Sequence, residues 1–161
     1  MTLRQLAHSI AVSGLLLAAA CGGSSNSPAA SSTPSASPTP APVVKTATAT
    51  VAGASMTILV DAEKGMTLYY FTPDKAGTVT CTGGCLAVWP PLEMSTSGTP
   101  TGGSGVTGKL ATVMNPNNKP QVTYNGWPLY FYAKDTKVGD VTGQNVGQKW
   151  FVVPPDLKPG V

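Results

Sequence analysis

Cys81 and Cys85 stand four apart in this chain and are the residues best suited to do chemistry. Two sulfurs at that spacing have three uses. They close a structural disulfide, worth roughly 2 kcal/mol for so short a ring by loop-closure arithmetic. They act as a redox dithiol, which requires a cysteine acidified by a cation or a helix N-terminus. Or they bind a soft metal as thiolates, helped by Met56, Met66, Met94 or Met114. In an exported protein the structural bridge is the default, and scattered methionines more often fill a core than ligate a metal.

Asp74 and Asp135 come next, because each closes the same pattern: Tyr69, Phe71 and Asp74 in one place, Tyr130, Tyr132 and Asp135 in another. Both carboxylates are expected to accept backbone N–H groups and fix a turn after an aromatic strand. A calcium role with Asp140 and Asn145 is the alternative, although the spacing matches no calcium loop. An acid and base pair would need a cleft between the carboxylates. Tyr69, Phe71, Tyr130, Tyr132, Trp89 and Trp150 read first as core. Their second reading is a platform that stacks sugars or holds a flat cofactor. Trp127, beside Gly126, is expected to be the most exposed aromatic and the first candidate for partner contact.

The segment Gly103 to Lys109 imitates a phosphate loop, but Leu110 stands where a magnesium-binding hydroxyl residue is required, so it reads as a loop with no nucleotide. The only histidine, His8, lies near the N-terminus in a stretch expected to be removed. Its loss excludes Ser-His-Asp and Cys-His mechanisms and histidine-bound zinc. No catalytic set and no cofactor are expected.

A duplication positions these residues. Shifting the sequence by 61 lays Gly65, Leu68, Tyr69, Asp74 and Trp89 on Gly126, Leu129, Tyr130, Asp135 and Trp150 without a gap, and in that register Thr142 and Val146 face Cys81 and Cys85. Val122 and Tyr124, then Asn125-Gly126, then Leu129 to Tyr132 predict a β-hairpin with a type I′ turn. Thr57 to Val60 and Thr67 to Phe71 flank a longer loop in the first copy. Alternation places Tyr69 and Phe71 on one face, and Leu68 and Tyr70 on the other; Tyr130 and Tyr132 likewise oppose Leu129 and Phe131. Both faces are apolar, so both are expected to be covered. Leu110 to Met114 and Trp150 to Val153 also read as strands, and no segment has helical periodicity. The prediction is an all-β domain, a small sandwich or barrel of two related meanders (about residues 57–92 and 118–155) that share one core.

At the N-terminus, Arg4, the apolar run Ile10 to Leu17 and the small residues Ala18 to Ala20 before Cys21 read as an export signal, 1–20, with Cys21 as the lipidated residue. The apolar run is shorter than the roughly 20 residues that cross a membrane. Residues 21–50 read as an unstructured tether rich in Ser, Thr, Pro and Ala, and 51–161 as the folded domain. Without Arg4 the chain has nine Lys against seven acids, too weak and dispersed a charge for a nucleic-acid surface.

Two segments, Gly65 to Asp74 with Cys81 to Leu92, and Gln121 to Gly126 with Pro128 to Asp135, resemble the bacterial secreted-repeat lipoproteins that carry a Tyr-x-aromatic-x-x-Asp motif. The resemblance covers nearly all of the expected domain and implies an envelope lipoprotein; it carries over no catalytic residue. The chain departs from that pattern at Asn115 to Pro120, where the family has a basic residue and an Asp-Gly turn. The leading expectation is therefore a non-catalytic binding or structural module, held to the outer side of the bacterial cell membrane through Cys21. Its partner would be an envelope protein or a cell-wall component. The alternatives are a redox or metal-handling protein working through Cys81 and Cys85, and a cell-wall carbohydrate-binding module using Trp127.

Overall fold

Short runs of β-branched and aromatic residues punctuated by Gly, Pro and Asn make short strands, because each run ends before a sheet can widen. The computed structural model describes residues 40–75, 77–95 and 98–160. The expected signal segment, Cys21 and most of the tether lie outside the described residues. Strand β1 (Val44–Val51) pairs antiparallel with β2 (Ala54–Asp61), and β3 (Tyr69–Phe71) pairs with β7 (Trp150–Val152). Strands β4 (Leu110–Met114), β5 (Pro120–Tyr124) and β6 (Trp127–Pro128) form a three-stranded sheet in that order. Isolated bridges such as Val60 to Thr67 and Tyr69 to Tyr130 stitch these small sheets together. The all-β expectation holds.

Two departures concern the elements themselves. The folded chain starts before Val51: β1 begins at Val44, whose side chain is fully buried, so residues 44–50 belong to the domain and not to the tether. Threonines alternate along this strand and the turn at Ala52-Gly53 has positive φ at both residues, 48° and 87°. That is the same geometry as the predicted turn at Asn125-Gly126, with φ of 50° and 88°. The second departure is a helix of five residues, α1 (Gly84–Val88), which spans Cys85 and is too short to show a period in sequence.

Strand alternation sorts the side chains into two buried clusters, as expected of a sheet covered on both faces. Tyr69, Tyr130, Tyr132, Trp89, Trp150, Ile58 and Val60 fill one. Leu68, Leu129, Leu59, Val122, Leu92 and Val153 fill the other.

The two copies exchange strands. Tyr69 and Tyr130 trade backbone bonds, N–H to O at 2.8 and 3.0 Å. The first copy's Tyr70 lies opposite the second copy's Phe151, and the second copy's Phe131 donates to the first copy's Pro90 carbonyl at 2.7 Å. Each copy therefore completes the other. The gapless register of 61 does not survive intact. Hydrogen bonds equate Thr80 with Thr142 and Leu59 with Val122, because the loop after Asp61 is longer in the first copy and the turn after Asp135 is longer in the second.

Candidate functional site

A carboxylate buried without a cation must be surrounded by donors. Asp74 and Asp135 meet this condition across the duplication. Tyr130 donates its hydroxyl to Asp74 Oδ2 at 2.6 Å, and Tyr69 donates to Asp135 Oδ2 at 2.6 Å, so each tyrosine serves the other copy's aspartate. The remaining oxygens fix local turns as the sequence predicts. Asp74 Oδ1 accepts from the Thr80 backbone N–H at 2.8 Å and the Thr80 hydroxyl at 2.6 Å. Asp135 Oδ1 accepts from the Thr142 backbone N–H and hydroxyl at 3.0 and 2.5 Å. The bond between copies was not legible, since a Tyr-x-aromatic-x-x-Asp pattern reads the same whether its members meet within or between copies.

The halves differ in one detail around these hydroxyls. Tyr69 Oη accepts from the Gly143 N–H at 3.2 Å, and a Cβ at Gly143 would come within 2.8 Å of the Tyr69 ring. Cys81, next to Thr80, takes the place of Gly143 in the other half. There the Gln121 amide lies beside Tyr130 instead, and its Nε2 donates to the Leu129 carbonyl at 2.9 Å. Gln121 thus stands where the first copy has the apolar Ile58.

Burial is the leading cause of the raised pKa of both tyrosines, reinforced by the hydrogen bond and negative charge of the facing aspartate; both phenols are held far above 10.0. Folding therefore favours the protonated phenol, and the stability this brings is complete below the unfolded value near 10.0 and is lost as pH rises above it. Two such groups are expected to lower stability by about 2.7 kcal/mol per pH unit in that alkaline range. Urea midpoints measured across the range should fall steeply in the parent and less in a Tyr69→Phe, Tyr130→Phe variant. Equal slopes would contradict the burial of these hydroxyls.

The aromatic residues do not pave a surface. Trp89 and Trp150 stack face to face with centroids 3.8 Å apart and planes 1° apart. Tyr132 stacks on Trp89 and Phe71 on Trp150, both at 4.2 Å, giving a row of four rings with two members from each copy. Tyr69 meets Trp89 edge-on at 5.5 Å, and Tyr130 meets Trp150 at 5.1 Å. Trp89 and Trp150 are 4% and 5% exposed, which removes them as ligand contacts and leaves the core reading. Trp127 is half-buried: it packs on Tyr70 at 5.2 Å and donates Nε1–H to the Lys158 carbonyl at 2.9 Å. Residues after β7 fold back over it, a cover the sequence did not announce.

Cys81 and Cys85 are joined as a disulfide that closes the turn leading into α1, with Cys81 buried in the aromatic cluster. Replacing both by serine is expected to cost about 2 kcal/mol, read as an earlier thermal midpoint. An unchanged midpoint would show that the turn holds without its staple. Asp140 belongs to a turn: its Oδ2 accepts from the Thr136 and Lys137 N–H groups, and the Thr136 backbone bond leads the causes that lower its pKa. Among the described residues, no three His, Cys, Asp or Glu side chains gather where an ion could be held. The imitation phosphate loop is likewise engaged internally, with Gly103 N–H on the Val44 carbonyl and Gly108 N–H on Tyr124 Oη. Asn115, in the segment that departs from the family pattern, accepts from the Asn117 and Lys119 N–H groups and donates to Glu93, which also pairs with Lys119 at 3.2 Å.

No helix among the described residues is long and apolar enough to cross a membrane. No curated protein and no solved structure matches the chain. The profile of the Lipoprotein_15 family, described as a secreted repeat of unknown function, matches twice, over residues 50–93 and 111–154. Those two matches span the exchanged strands, both aspartates and the whole ring stack, and together they cover more than half of the sequence. The chain therefore belongs to this family of secreted repeats, in two copies.

Proposed function

We propose that this is an envelope lipoprotein: Cys21 carries the lipid, a tether follows, and the β domain acts outside the cytoplasm as a non-catalytic binding or structural module. One observation carries the non-catalytic part. The polar and aromatic side chains that recur in both copies, Tyr69 with Asp135, Tyr130 with Asp74, and the four-ring row, all face one another inside the domain. A catalytic set needs reactive atoms converging on open space. These converge on each other. The disulfide between Cys81 and Cys85 supports the same reading, because joined sulfurs offer no thiolate to a metal or a substrate. The lipid at Cys21 is supported by the small residues before it and by the family's description as secreted.

The test is expression of the full chain in a bacterial host, followed by detergent phase partition and intact mass. The parent is expected in the detergent phase with the mass of a diacylated Cys21 terminus, and Cys21→Ser in the aqueous phase. Identical partition of the two would end the anchoring proposal.

A further inference from the structure

The duplication supplies an internal control, because each position on the scaffold can be compared with its sister in the other copy. Hydrogen-bond register equates Met66 with Trp127, Phe131 with Tyr70, and Pro90 with Phe151. On one side of the domain Tyr70 is flanked by the indole of Trp127 at 5.2 Å and the ring of Phe151 at 5.9 Å. That cluster is roofed by the chain after β7: Asn125 Nδ2 donates to the Leu157 carbonyl, Trp127 to that of Lys158, and Gly160 N–H to the Asn125 carbonyl. The sister position has the same floor and a different filling. Phe131 replaces Tyr70, but a thioether and a pyrrolidine stand in place of the indole and the phenyl ring. The first copy's chain also leaves after Leu92 in another direction, with Met94 N–H bonded to the Pro120 carbonyl. What remains is a cleft of about 210 Å³ lined by Lys64, Met66, Pro90, Phe131, Tyr132 and Asp135.

We propose that this cleft is a binding site for a small aromatic acid: a flat ring of indole size laid on Phe131, with an anionic group at the mouth beside Lys64. The ring is argued from the sister position, where the same backbone holds an indole against the residue equivalent to Phe131. Met66 suits such a ring, since a thioether makes favourable contacts with aromatic rings, and Pro90 adds an apolar wall. The anionic group is argued from the charges. Asp135, a buried lining residue, is already engaged, with Tyr69 on Oδ2 and Thr142 on Oδ1, whereas Lys64 is exposed. The inference goes beyond the envelope reading and does not depend on it, because the cleft belongs to the folded domain wherever the chain resides.

Titration of the ¹⁵N-labelled full chain with indole-3-acetate, followed by amide shifts, tests it. For a ligand of this size a dissociation constant on the order of 1 mM is expected. Shifts should be confined to residues 64–66 and 131–135. Met66→Trp installs the sister residue and is expected to abolish binding while the fold is kept; Pro90→Phe fills the cleft from the other wall. Lys64→Gln, a surface change, should weaken the acid by roughly fivefold and leave neutral indole unaffected, as an exposed charge contributes modestly. The proposal is overturned by the absence of saturable shifts, by shifts centred on Tyr70 and Trp127, by unchanged binding in a folded Met66→Trp or Pro90→Phe chain, or by a Lys64→Gln chain that binds the acid as the parent does.

Discussion

Trp89→Ala is expected to cost about 3–5 kcal/mol, the range for deleting a large buried aromatic. In a domain of this size that lowers the thermal midpoint by roughly 10–20 °C. The reason is the row of rings. Trp89 touches Tyr132 on one face and Trp150 on the other, and Tyr69 meets it edge-on. Removing it takes one ring from the middle of a stack whose neighbours come from both copies, so no single strand can shift to fill the space. Trp150→Ala should behave alike, since Phe71, Trp89 and Tyr130 surround it in the equivalent way. Differential scanning calorimetry of the two variants checks this. A midpoint within a few degrees of the parent for either would mean that the stack closes over the gap.

Asp74→Ala should be as costly, about 3–5 kcal/mol, for a polar reason. It strands the buried Tyr130 hydroxyl and takes from the backbone N–H and hydroxyl of Thr80 the acceptor that fixes the turn, and hydrogen bonds to a charged group are individually the stronger kind. The sharper measurement is a double-mutant cycle. Tyr130→Phe combined with Asp74→Ala should show a coupling of about 1–3 kcal/mol, as directly bonded residues do. Tyr69→Phe with Asp135→Ala should match it, because the second bond repeats the first at the same 2.6 Å. Tyr130→Phe with Asp135→Ala, two members of one copy, should be close to additive. Strong coupling within a copy and none between copies would refute the crossed arrangement in solution.

Much of this arrangement was legible, and the part that was not has a physical reason. The spacing of Tyr69, Phe71 and Asp74 exposed the duplication, alternation assigned Leu68 and Tyr70 to their own face, and Asn125-Gly126 announced its turn. The cysteine pair carried its bridge as the default reading. Strand β1 was missed because its turn uses Ala52 where the other uses Asn125; alanine at positive φ leaves no mark in composition. The partial cover over Trp127 was not legible because the segment that supplies it, from Pro154 onward, has no periodicity of its own. The exchange between copies was invisible for a deeper reason. Two identical patterns specify which residue types pair, and only the packed chain decides which copy supplies each partner.

The crossed bonds also set the order in which the molecule can be made. Tyr69 waits for Asp135, 66 residues further along, and Asp74 waits for Tyr130, 56 residues further along. Synthesis delivers the amino end first, so the first copy emerges before Tyr132 and Trp150 can stack on Trp89 and before Asp135 can accept from Tyr69. Contacts this distant make for slow assembly, and a chain halted between the copies has only part of each core cluster. Truncation after Leu92 would leave a fragment for chaperones and proteases rather than half a working protein. For the same reason a single copy would need a second molecule to supply the partner of its tyrosine, an encounter that two copies in one chain make intramolecular.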